Sequence, residues 1–108
     1  MFNNLNDLAG RINETARILG WWDKELTFGE VIALCHSELS EALEEYRNHK
    51  PFMYMVNGKP EGVAVEMIDC IIRILDWCAQ SGVNVDGIME EKLDYNETIP
   101  YRHGGKEL

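Results

Sequence analysis

The chain has 108 residues, 45% of them hydrophobic, and a formal charge of −9. That length suits one domain rather than two, and the acidic balance argues against nucleic acid as a partner, because phosphate backbones are bound by basic surfaces that release counterions. No apolar run approaches the roughly 20 residues that span a bilayer, and the N-terminal "MFNNLNDLAGR" lacks the basic and apolar regions of a signal peptide, so the expectation is a cytoplasmic protein with no membrane partner.

Leu5, Leu8, Ile12, Ala16 and Leu19 recur at three- and four-residue spacing and predict a first helix ending near Gly20. "GWWDKEL" is a connection. Thr27 with Glu30 three residues on has the form of a capping box, opening a second helix that runs to about His49 before Pro51. "KPFMYMVNGKPEG", with two prolines and two glycines, reads as a loop with a hairpin-like turn at Asn57-Gly58. A third helix is predicted from Glu61 to Gln80, stopping at Ser81-Gly82. Asn84 caps a fourth over "VDGIMEEKLDYNE", and the tail 98–108, "TIPYRHGGKEL", is expected to be irregular. The whole is an all-α single domain of two long central helices and two shorter ones. Cys35, Cys70 and Cys78, odd in number and without CxxC spacing, read as reduced core residues. A chain this short buries only about two thirds of its unfolded surface, so the wide apolar face of the third helix points to self-association.

Chemistry enters with the acids. At about 100° per residue, Val31, Ile32, Cys35, Leu39, Ala42, Leu43 and Tyr46 form one apolar arc, with Glu38, Glu41 and Glu45 at its edge and Glu44 and Arg47 toward solvent. The third helix repeats the pattern, Glu66 and Asp69 edging a face built from Met67, Ile68, Cys70, Ile71, Ile72, Ile74, Leu75 and Cys78. Packing the two faces together brings at least four carboxylates to one place, and cations relieve their repulsion. An oxygen-only set suits Mg²⁺ or Mn²⁺ and disfavours zinc. No histidine follows Glu41 or Glu66 by three, so the ExxH pairs of a ferritin-like di-iron site are missing. Against this stands the ordinary explanation: an isolated ExxE or ExxD is usually a solvated face, and Asp69 to Arg73 has plain i,i+4 ion-pair spacing.

With "SELSE" and "EMID" in these positions, the chain resembles the MazG family of all-α nucleoside triphosphate pyrophosphohydrolases, whose signature is EExxE followed, after a loop, by ExxD. The resemblance runs from Trp21-Trp22 through the four helices and includes "EKLDYNETIPYRHGGKEL". It implies a four-helix bundle completed by dimer or tetramer formation, with Glu38, Glu41, Glu66 and Asp69 as magnesium ligands. It further implies Lys92, Asn96, Arg102 and Lys106 as phosphate contacts and Trp22 as a base contact, while Glu45, from its place on the acidic stripe, is the candidate outer-shell base. The implied substrate is a nucleoside triphosphate, cut between the α and β phosphates to monophosphate and pyrophosphate. Two positions depart from the pattern: Ser37 stands where the signature has its first glutamate, and Ile99 where related tails carry an arginine. The competing expectation is a non-catalytic helical module that binds nucleotide or a protein partner.

Overall fold

The computed structural model describes residues 3–101. Its elements are α1 (Leu5–Ile18), α2 (Phe28–Arg47), β1 (Tyr54–Val56), β2 (Lys59–Glu61), α3 (Val63–Gln80) and α4 (Val85–Glu97). The architecture is mostly helical, as expected. The difference lies in the connection between the long helices, which is a two-stranded antiparallel hairpin with Tyr54 opposite Glu61 and Val56 opposite Lys59. Asn57 and Gly58 both take positive φ, 51° and 81°, which matches the twist of a tight hairpin turn. Pro60 sits opposite Met55 and is tolerated because each strand of a two-stranded sheet has a free edge. Glu61 therefore belongs to β2, and the third helix begins at Val63, two residues later than the periodicity predicts.

Local chemistry fixes the helix starts. The Thr27 hydroxyl accepts from the Glu30 amide and the Glu30 carboxylate accepts from the Thr27 amide, both at 3.1 Å, so the expected capping box forms. The start of α1 is capped twice, by Asn4, which accepts from the Asp7 amide at 2.8 Å, and by Asp86 of α4, which accepts from the Leu5 and Asn6 amides at 3.0 Å. Asn6 returns the contact by accepting from the Val85 amide at 2.8 Å. The first turns of α1 and α4 thus satisfy each other's unpaired donors. At the start of α3, Gly62 has φ 121°, and a Cβ there would run into the Phe52 carbonyl, which accepts from the Ala64 amide at 2.9 Å. That close approach seats the hairpin entrance on the first turn of α3.

Helix α3 is the centre of the molecule. On one side Leu75 and Cys78 pack with Ala9 and Val85, flanked by Leu5, Leu8 and Ile12. On the other Cys70 packs with Val31 and Cys35, flanked by Trp22 and Leu26, and Trp77 borders both clusters. Pairing of Phe28 with Trp77 and of Cys35 with Cys70 makes α2 and α3 antiparallel, and the long Arg73 side chain bridges back to Glu38. All three cysteines are buried and free, as their apolar neighbourhoods predict. Ile68, Ile71 and Ile74 of α3 and Leu39 and Leu43 of α2 are all more than 40% exposed, so much of the apolar surface of the central helices is uncovered in one chain. No described helix is long and apolar enough to cross a membrane.

Candidate metal centre

Antiparallel packing of α2 on α3 carries the two acidic edges onto each other. Glu38, Glu66 and Asp69 each offer an oxygen within 4.8 Å of the others. Glu38 and Glu66 are buried and Asp69 is half-buried. An octahedral Mg²⁺ at about 2.1 Å holds adjacent oxygens about 3.0 Å apart and opposite ones about 4.2 Å apart, so side-chain movements of up to about 2 Å bring this trio to ligand spacing. Gly62 contributes from outside: its carbonyl accepts from the Glu66 amide at 3.0 Å, placing Glu66 in the first turn of α3, where the helix dipole favours an anion.

The electrostatics of the trio are strained. Burial, then the hydrogen-bonding proximity of Glu41 and Glu38, and then the charges of Glu41 and Asp69, push the Glu66 carboxyl up from its ordinary value to about 8. Burial, with the Glu38 charge next, also raises Asp69, partly offset by Arg73. One oxygen of Glu66, Oε2, is buried without any hydrogen-bond partner. A buried polar oxygen left without a partner costs about 1–3 kcal/mol, and a divalent cation bound there would remove that cost. The donor set therefore fits a hard cation.

The remaining predicted residues divide. Glu41 is exposed but close enough to Glu66 to raise its pKa, so it borders the trio from the solvent side. Glu45 lies a turn further along α2, and the Tyr54 hydroxyl donates to both of its oxygens at 2.9 Å; that bond to an anion raises the tyrosine pKa. Trp22 is half-buried and its indole N–H donates to the Asp76 carboxylate at 3.0 and 3.1 Å, with the Asn13 amide donating to the same group at 2.8 Å. Helix α4 packs against α1; Lys92 lies over the Tyr95 ring of its own helix, 5.0 Å from the centroid, and the Asn96 carbonyl accepts from the Ile99 amide at the helix end. Arg102 and Lys106 fall outside the described residues.

Two features escape the sequence reading. The first is Arg73, whose Nε donates to Glu38 Oε1 at 3.1 Å, across to α2 rather than back to Asp69. The signal for it is present, since Glu66, Asp69 and Arg73 follow the 3-4 spacing of one helix edge. The second is a cleft of about 720 Å³ between α1, α2 and α3 that opens onto the acids: Glu38, Asp69 and Arg73 line it together with Trp21, Trp22 and Asp76. Its volume falls within the range of small-molecule sites. Compared with family models, curated proteins and solved structures, the chain finds no match.

Proposed function

We propose that the chain is a Mg²⁺-dependent nucleoside triphosphate pyrophosphohydrolase of the MazG kind, cleaving the α–β bond to release pyrophosphate and a nucleoside monophosphate. The observation that carries this reading is the convergence of Glu38, Glu66 and Asp69, with Glu66 Oε2 buried and unpartnered, beside a ligand-sized cleft that Glu38 and Asp69 line. Glu38, Glu66 and Asp69 hold the cation, with Glu41 joining from the exposed side. Magnesium, or manganese in its place, supplies charge neutralisation on the phosphates and on the departing pyrophosphate. Glu45, oriented by Tyr54, is the outer-shell base that takes the proton of the attacking water. The cleft takes the nucleoside, with Trp22 in its wall. In this reading Lys92, Asn96, Arg102 and Lys106 are the phosphate contacts that the MazG resemblance implies. In this reading four helices of one chain associate through their exposed apolar faces into a dimer or tetramer, and α4 of a neighbouring copy is then able to serve the site.

The test is incubation with Mg²⁺ and a panel of triphosphates, with products identified by phosphorus NMR. Pyrophosphate plus monophosphate is the expected outcome; orthophosphate plus diphosphate rejects the assigned bond. The second reading, a non-catalytic helical nucleotide-binding or interaction module, is favoured by Arg73 already neutralising Glu38. It predicts binding without turnover under the same conditions.

A further inference from the structure

Arg73 is poorly used where it stands. An arginine has five N–H donors, and here only Nε–H is engaged, with Glu38 Oε1. The terminal amino groups meet no hydrogen-bond acceptor among the described residues. The guanidinium carbon lies over the ring of Trp21, 5.5 Å from its centroid, a cation–π contact that uses none of its N–H bonds. The side chain lines the cleft beside Glu38 and Asp69 and retains 27% of its exposure, so the free end of the fork is accessible from that side.

Its present partner is also one of the three converging acids. A divalent ion approaches a carboxylate oxygen to about 2.1 Å and carries twice the charge, whereas the guanidinium nitrogen stands at 3.1 Å. By Coulomb's law the ion has the stronger claim on Glu38. We propose that Arg73 is an anion-binding residue of the cleft: it is parked on Glu38 while no divalent cation holds that carboxylate, and it passes to a phosphate of the ligand once one does. The proposal rests on the metal-dependent reading above, but on cation and phosphate binding and not on hydrolysis. Arg73 then couples the two ligands. The cation releases the arginine, the arginine recruits the phosphate, and by reciprocity the phosphate tightens the cation. Inorganic polyphosphate carries the same chemistry as the phosphate chain of a nucleotide, so the coupling is measurable without knowing the base.

The bland alternative is an ion pair that only ties α2 to α3. It is separable because it moves both ligands in one direction. Calorimetric titration of the wild type, Arg73→Gln and Arg73→Lys with MgCl₂ alone, and then with inorganic tripolyphosphate at saturating Mg²⁺, reads the difference. Removal of the competing cation makes Mg²⁺ bind about threefold more tightly to Arg73→Gln, while losing the charge-assisted phosphate contact weakens tripolyphosphate about tenfold or more. Arg73→Lys, which keeps the charge without the fork, falls between the two for the anion and guards against a folding defect in the glutamine variant. Unchanged affinities in Arg73→Gln, or a parallel weakening of both ligands in both variants, overturn the proposal. Unchanged affinities alongside wild-type triphosphate turnover overturn it while leaving the pyrophosphohydrolase reading intact; a wild type that takes up no Mg²⁺ overturns both.

Discussion

Burial and the neighbouring acids push the Glu66 carboxyl up to about 8. Its folded pKa lies above its unfolded one, so the folded chain binds more protons between those values, and stability falls as pH rises across that window. For the metal-free protein we expect this group's contribution to be complete below the ordinary carboxylate pKa and lost progressively toward about pH 8. Asp69, also raised, acts in the same direction. Thermal melts in chelator at several pH values check this, with Glu66→Gln expected to flatten the slope because a glutamine has no proton to lose; a slope unchanged in the variant rejects the assignment. Magnesium reverses the sign by favouring the ionised form, so a stabilising shift with Mg²⁺ is expected to grow with pH. Outer-shell partners of metal ligands typically cost 10–100-fold when removed, so Glu38→Gln, which removes a proposed ligand itself, is expected to lower Mg²⁺-dependent turnover by more than about 100-fold, measured as pyrophosphate release.

At the scale of elements, the site depends on where α3 begins. Gly62 combines positive φ with close contact to the Phe52 carbonyl, so Gly62→Ala is expected to cost about 1–3 kcal/mol by urea unfolding and to weaken Mg²⁺ binding by displacing the turn that carries Glu66. The α1 start is expected to be less coupled to the site. Asp86→Ala removes two charge-assisted contacts to backbone amides and should cost about 1–2 kcal/mol while leaving Mg²⁺ affinity unchanged. Most of these elements are legible in the sequence because each is written locally: the apolar period of α1 and α3, and the Thr27–Glu30 box of α2. The Asp86 cap is not, since the carboxylate and the amides it serves are about 80 residues apart in the chain. Nor is the Tyr54–Glu45 bond, which exists only because the hairpin folds β1 back toward α2.

The whole molecule is loosely closed for its size. Its Cα radius of gyration is 16.6 Å, against about 13 Å for a compact domain of 100 residues, and no large side chain among the described residues is completely buried. Ile68, Ile71 and Ile74 on α3 are exposed, Ile68 and Ile71 in the wall of the cleft, and exposed apolar surface of this extent is of the kind that marks an interaction surface. We expect the purified chain to sediment as a dimer or larger, and Ile71→Lys to raise its dissociation constant by about tenfold or more, some 1.4 kcal/mol. A monomeric wild type at micromolar concentration sinks the self-association reading.

The sequence by itself determines the helices, the reduced cysteines and the acids that lie on the inner edges of α2 and α3, because helical periodicity assigns every residue a face without reference to any other element. Tertiary structure decides the rest. Glu38, Glu66 and Asp69 converge while Glu41 stays at the rim, since the depth of each carboxylate depends on how far α2 sinks against α3. Arg73 shows the same division most clearly: its spacing from Asp69 predicts a local ion pair, yet it reaches across to Glu38, because the antiparallel register of two packed helices, which no single helix encodes, brings a more deeply buried charge within its reach.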